Sequence, residues 1–138
     1  MEIIAVSACL LGVNVKYSGG NNYTEKLKKY TEGKIVLPIC PEVLGGLPIP
    51  RDPSEIDKST GKIYSSKGKD VTENFIDGAN KTLRMLKHFN VKTVILKDRS
   101  PSCGVTGVYD GTFSNNVIEG MGVTAKLLKN EGIEVIYL

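Results

Sequence analysis

Apolar residues gather in four short runs along the chain: "EIIAVSA" at 2–8, "KIVLPIC" at 34–40, "VKTVIL" at 91–96 and "IEVIYL" at 133–138. Each is rich in Ile and Val and too short for a helix, so each predicts a strand. The runs are continuous rather than alternating, which marks strands covered on both faces. Between them, apolar residues recur at helical spacing. Tyr23, Leu27 and Tyr30 mark one helix that stops near Gly33. Val71, Phe75, Ile76, Ala79, Leu83 and Leu86 mark a longer one over 72–89, with Asp70 as its N-cap and Glu73 completing a capping box. A last helix over 121–131 ends at Gly132. This alternation predicts an α/β fold: a mainly parallel sheet with helices on both faces, a Rossmann-like three-layer sandwich.

Two segments break the pattern. Residues 41–69 open with "PEVLGGLPIPRDP", too rich in proline and glycine for a helix or an interior strand, and then allow a small hairpin around Thr60 and Gly61. Residues 97–120 form a second irregular stretch. Loops of this length in a compact domain are usually functional. Both leave from the carboxyl ends of predicted strands, where parallel sheets bind their ligands. The only three cysteines lie at that edge too: Cys9 in "VSACLLG", Cys40 in "ICPEVLGG" and Cys103 in "SPSCGV".

Bulk properties narrow the classes. A chain of 138 residues predicts a single domain, 1–138, able to bury roughly two-thirds of its unfolded surface. With 41% hydrophobic and 24% charged residues it is an ordinary globular composition. A net charge of +3, from 18 basic and 15 acidic residues, is too mild and scattered for nucleic-acid binding. No run reaches the roughly eighteen apolar residues needed to cross a membrane. The apolar N-terminus lacks a basic leader, so the sequence predicts a cytoplasmic protein. In that compartment thiols stay reduced, and an odd cysteine count points to metal or redox chemistry over disulfides.

Three thiols beyond three strands are either small packed hydrophobes or a site. No C-x-x-C supports a redox pair. The single histidine, His88, sits inside the long predicted helix, which argues against a Cys₃His zinc site. Three thiolates from separate loops suit an iron–sulfur cube with one iron left without a protein ligand. Glu42, two residues after Cys40, and Ser100, three before Cys103, are placed to manage protons beside such a metal.

The motifs "SACLLG", "CPEVLGGLPIPR", "LKDRSPSCG", "YDGTFS" and "GMGVTAKLL" resemble those of the DUF523 family, the thiouracil desulfurases, over nearly the whole chain. The resemblance implies that Cys9, Cys40 and Cys103 hold a [4Fe-4S] cluster, one that is oxygen-sensitive and can be lost in purification. It implies that the open iron takes the sulfur of thiouracil or thiouridine monophosphate, acting as a Lewis acid without net electron transfer. The products are uracil or UMP and hydrogen sulfide. By motif, Glu42 is the acid/base residue and Ser100 the catalytic serine. Tyr17, Arg51, Lys97 and Ser102, with Lys16, are candidates to line the substrate cavity, Arg51 as a phosphate or base contact.

"GMGVTA" at 120–125 matches a dinucleotide fingerprint in form only, since no convincing strand precedes it and too little chain follows. A helix start there still offers its N-terminus to a substrate phosphate. Two other readings stay open: a cluster- or metal-binding sensor without catalysis, and a nucleotide-binding module with structural cysteines. The preferred thiolated substrate and the oligomeric state leave no mark on the sequence.

Overall fold

A computed structural model describes all 138 residues. Strand β1 (Ile3–Ser7) runs into a 3₁₀ turn, Ala8–Leu11, and a second 3₁₀ turn, Glu25–Leu27, leads into helix α1 (Lys28–Thr31). Strand β2 (Ile35–Ile39) passes directly into helix α2 (Pro41–Leu44), followed by the strands β3 (Ser54–Ile56) and β4 (Ile63–Ser65). Helix α3 (Thr72–His88) precedes β5 (Thr93–Leu96), β6 (Gly107–Tyr109) and β7 (Val117–Glu119). Helix α4 (Val123–Asn130) and strand β8 (Glu134–Tyr137) close the order.

The four apolar runs become one parallel sheet in the order β2-β1-β5-β8. Its pleat sends Ala5, Ile39, Val94 and Leu96 to one side, where they meet Leu86 of α3 and Ala125 and Leu128 of α4. Ile4, Val6 and Ile95 point the other way, onto Leu10, Leu27 and the half-buried Tyr30. Long helices therefore cover one face and the short 3₁₀–α1 segment the other, which is the three-layer sandwich expected. Chain order reverses at β1: the connection to β2 leaves one way and the connection to β5 the other. That reversal opens a crevice at the carboxyl edge, the usual ligand position in such sheets.

Local details depart from the expectations where contacts override pattern. Pro41, counted as a helix breaker, instead occupies the first turn of α2, where its missing N–H is not needed. The N-cap of α3 is Val71 rather than Asp70, and no capping box with Glu73 forms; Asp70, one residue earlier, accepts from the backbone N–H and hydroxyl of Thr72 at 3.0 and 2.6 Å. Ile76 is exposed, and Gly78 and Thr82 fill the buried face in its place. Tyr23 lies outside the short helical segment and is exposed. The expected hairpin around Thr60 and Gly61 is β3–β4. A second one, β6–β7, folds within 97–120, its three-residue strands too short to leave an alternation in the sequence.

Helices α2 and α3 cross with their backbones touching. A Cβ on Gly45 would stand 2.0 Å from the carbonyl oxygen of Asn74, and a Cβ on Gly78 would stand 2.0 Å from that of Pro41. Around this contact the Asn74 amide donates to the carbonyl of Gly45 at 2.9 Å, and the Lys81 ammonium to that of Leu44 at 3.3 Å. The crossing seats the turn that begins at Cys40.

Replacing a mid-helix glycine by alanine normally stabilises a helix by about 1 kcal/mol. At Gly78 the sign should reverse, because the new methyl group meets backbone rather than a yielding side chain. Gly78→Ala should lose about 1–3 kcal/mol, the usual range for overpacking, read as a lower urea midpoint. An unchanged or raised midpoint would show that α2 does not sit on α3 in this way.

Candidate active site

The three strands that end beside the crevice each deliver one thiol to it. Cys9 lies in the 3₁₀ turn after β1, closed by Gly12 at φ +93°. The Cys9 carbonyl accepts from the backbone N–H of Gly12 and, at 2.9 Å, from that of Asn22. Cys40 is the extended residue that opens α2, at φ −140° and ψ 96°. Cys103 follows β5, and its backbone N–H donates to the Ser100 hydroxyl oxygen at 2.7 Å. Cys9, Cys40 and Cys103 share the wall of one cavity of about 620 Å³ with Glu42 and Ser100.

The loop carrying Cys103 is held from two sides. On one, the Asp98 carboxylate accepts the backbone N–H groups of Arg99, Val105 and Thr106 at 2.8, 2.7 and 3.1 Å, together with the Thr106 hydroxyl. Partial burial pulls the Asp98 carboxyl upward, but these donors outweigh it and hold it below the usual carboxylate range. On the other side α4 docks end-on. Its first backbone donors, from Gly122, Val123 and Thr124, reach the carbonyls of Gly104, Pro101 and Ser102 at 2.8–2.9 Å. A Cβ on Gly122 would lie 2.4 Å from the Ser102 carbonyl group, so the "GMGVTA" glycine serves close packing. These bonds also correct the expectation of a phosphate at this helix start: its donors are already engaged.

Ser102 is drawn into the same packing. It is buried, its hydroxyl shares a 2.8 Å hydrogen bond with that of Thr124, and it does not line the cavity. Ser100 does line it. The Ser100 oxygen accepts from the N–H groups of Cys103 and Ser102, which leaves its own proton free to be donated. Tyr17, Lys16 and Lys97 are in the wall as expected. The Lys97 ammonium donates to the Asp98 carbonyl at 3.1 Å, and its backbone N–H to the Ser7 hydroxyl at 3.0 Å.

Arg51, expected as a phosphate or base contact, lines the cavity with its side chain engaged within the protein. The proline-rich turn after α2 folds it back onto Glu42, Nε donating to Oε1 at 3.2 Å, with side chains only 7% and 17% exposed. Its Nη1 donates to the Pro48 carbonyl, and its backbone N–H to the Tyr17 carbonyl at 2.8 Å. Burial raises the Glu42 carboxyl above its ordinary value, and the guanidinium only partly offsets this. Burial likewise raises the thiols: Cys40 upward, against a helping backbone donor from Val43, and Cys103 to about 12, with the Glu42 charge and the other two thiols adding to the rise. Glu55 and Asp98, neither singled out from sequence, complete the acidic part of the wall. An acid on a three-residue strand or in a polar loop carries no periodic signal that would have found it.

Nowhere do three His, Cys, Asp or Glu side chains close around a single ion. The three thiols instead line one shared cavity. An all-thiol set without histidine matches iron–sulfur chemistry by ligand softness.

Comparison with known proteins places the fold. The family model described as 2-thiouracil desulfurase matches residues 4–137. The uncharacterised protein YbbK of Bacillus subtilis (strain 168) is 46% identical over 142 residues, covering 97% of this chain and 94% of the relative. A solved structure, the [4Fe-4S]-dependent thiouracil desulfidase TudS, superposes with a TM-score of 0.89 at 38% identity, over 99% of this chain and 91% of that one. With the family model spanning residues 4–137 and a solved relative of the same fold, the chain belongs to the 2-thiouracil desulfurase family.

Proposed function

We propose that this protein is a cytoplasmic, single-domain desulfidase that exchanges the sulfur of a thiolated pyrimidine for oxygen from water, with Cys9, Cys40 and Cys103 as ligands of a [4Fe-4S] cluster. The observation that carries this is the shared cavity: three thiols from three strand ends, facing Glu42 and Ser100. The reaction converts C=S and H₂O into C=O and H₂S, with no electrons to supply or remove. When bound, the cluster supplies an iron without a protein ligand, a Lewis acid toward sulfur.

The side chains divide the remaining work. Arg51 holds one oxygen of Glu42, Oε1, and leaves Oε2 to accept a proton from the attacking water. The Ser100 proton is available to the atom that gains negative charge as the C–S bond weakens, because the Ser100 oxygen is already fixed by two backbone donors. Burial of the Glu42–Arg51 pair excludes bulk water from the carboxylate and preserves its orientation. Tyr17, Lys97 and Lys16 bound the space left for the pyrimidine or its monophosphate.

Two variants and the wild type test the assignment in protein reconstituted anaerobically with iron and sulfide. Glu42→Gln should retain the cluster absorbance and lose roughly 10²-fold or more in turnover of 2-thiouracil, the scale of general acid–base groups. Cys40→Ser should lose the cluster itself. Glu42→Gln with near-normal turnover would remove the carboxylate from the chemistry, and wild-type protein that holds a cluster but releases no sulfide would be a sensor.

Arg51→Ala should lower kcat on free 2-thiouracil more than it raises KM, since its partner Glu42 loses orientation, and Arg51→Lys should recover part of the loss. A defect confined to a phosphorylated substrate would instead make Arg51 the phosphate contact.

A further inference from the structure

Glu55 is a buried carboxylate that the desulfidase reading leaves without a role. It lies on β3 beside Ile56, and the pleat separates the two: Ile56 packs on Ile63, Val71 and Phe75, while Glu55 faces the loop after β6. It is 9% exposed. Its Oε1 accepts two backbone N–H groups, from Gly111 at 3.0 Å and Phe113 at 3.1 Å. That turn is itself pressed onto β3, since a Cβ on Gly111, at φ +94°, would come within 2.6 Å of the Ile56 carbonyl oxygen. The carboxylate is therefore held rigidly by one oxygen.

The other oxygen is free. Oε2 makes no hydrogen bond within the protein, and Glu55 takes part in none of the salt bridges. No side-chain polar atom in the structure is both buried and unpaired, so Oε2 must open onto accessible space. Glu55 is part of the wall of the cavity of the three cysteines. An anion so sheltered, without a cation beside it, is costly unless a donor meets it. An ionised carboxylate only accepts hydrogen bonds, so the missing partner must be a donor.

We propose that Glu55 Oε2 accepts a ring N–H of the thiolated pyrimidine and so determines specificity for the lactam form of the base. The inference rests on the desulfidase reading. The 2-thiouracil ring offers N–H at positions 1 and 3 beside its thiocarbonyl, and a fixed acceptor rejects a ring nitrogen that lacks its proton. Ribose hydroxyls are the competing donors, but the family match is to the free base.

Glu55→Gln is the informative variant, because its amide oxygen can still take the Gly111 and Phe113 donors while its NH₂ turns the cavity-facing acceptor into a donor. Calorimetric titration of cluster-loaded wild type and variant with uracil, 1-methyluracil and 3-methyluracil isolates the contact as a cycle. One methylation should weaken wild-type binding about 10- to 100-fold, the worth of a hydrogen bond to a charged group. Glu55→Gln should weaken uracil binding similarly and be indifferent to that same methylation. Equal affinities of wild type for all three ligands would overturn the proposal even if the variant failed to fold, as would a variant that binds uracil normally. Sulfide release from 2-thiouracil by wild type, measured alongside, separates the two readings. Turnover with no N–H dependence sinks Glu55 alone, N–H-dependent binding without turnover sinks the desulfidase alone, and neither binding nor turnover sinks both.

Discussion

Parallel strands that stop at a common edge impose the central constraint on this molecule. In the order β2-β1-β5 the three strands are direct neighbours, so the residues that follow them cannot avoid one another. Cys9 and Cys40 sit within two residues of those ends, while Cys103 follows β5 by a loop that Asp98 and the start of α4 hold in place. The irregular segments then have one task each. The loop from 41 to 69 brings Arg51 over Glu42, and the loop from 97 to 120 brings Asp98, Ser100 and the turn around Gly111 to the same wall.

Each thiol is fixed by a different device. A glycine-closed 3₁₀ turn holds Cys9, a glycine-mediated helix crossing holds the start of α2 at Cys40, and Asp98 together with the N-terminus of α4 clamps the Cys103 loop. Rigid presentation suits a ligand set that must bind a preformed cube, since loops that had to order on binding would lose affinity to entropy. Without metal the half-buried thiol of Cys40 and the buried thiol of Cys103 favour the protonated form, the less costly one in a sheltered site. Metal binding would displace those protons.

Much of the architecture was legible because it follows from hydrophobic pattern. Four Ile- and Val-rich runs gave the sheet strands, and the period of Val71 through Leu86 gave α3. The cysteines were legible by their position after strands. What remained hidden depends on contacts between distant segments: the Glu42–Arg51 pair made by a folded-back proline turn, the Asp98 hub, and the hold of Glu55 on backbone 56 and 58 residues away. The second glycine of "GMGVTA", Gly122, carried a real signal whose meaning was misplaced, for it serves a helix packed onto the Cys103 loop rather than a phosphate.

The account stands on three protein thiolates leaving one iron open to the sulfur of the substrate. Mössbauer spectroscopy of protein reconstituted with iron-57 examines that arrangement directly, before and after addition of 2-thiouracil. The expected spectrum separates one iron of the four from the other three, and only that minority signal shifts when the thiolated base is added. Four indistinguishable irons that ignore the base, or a mononuclear iron signal, would contradict the account.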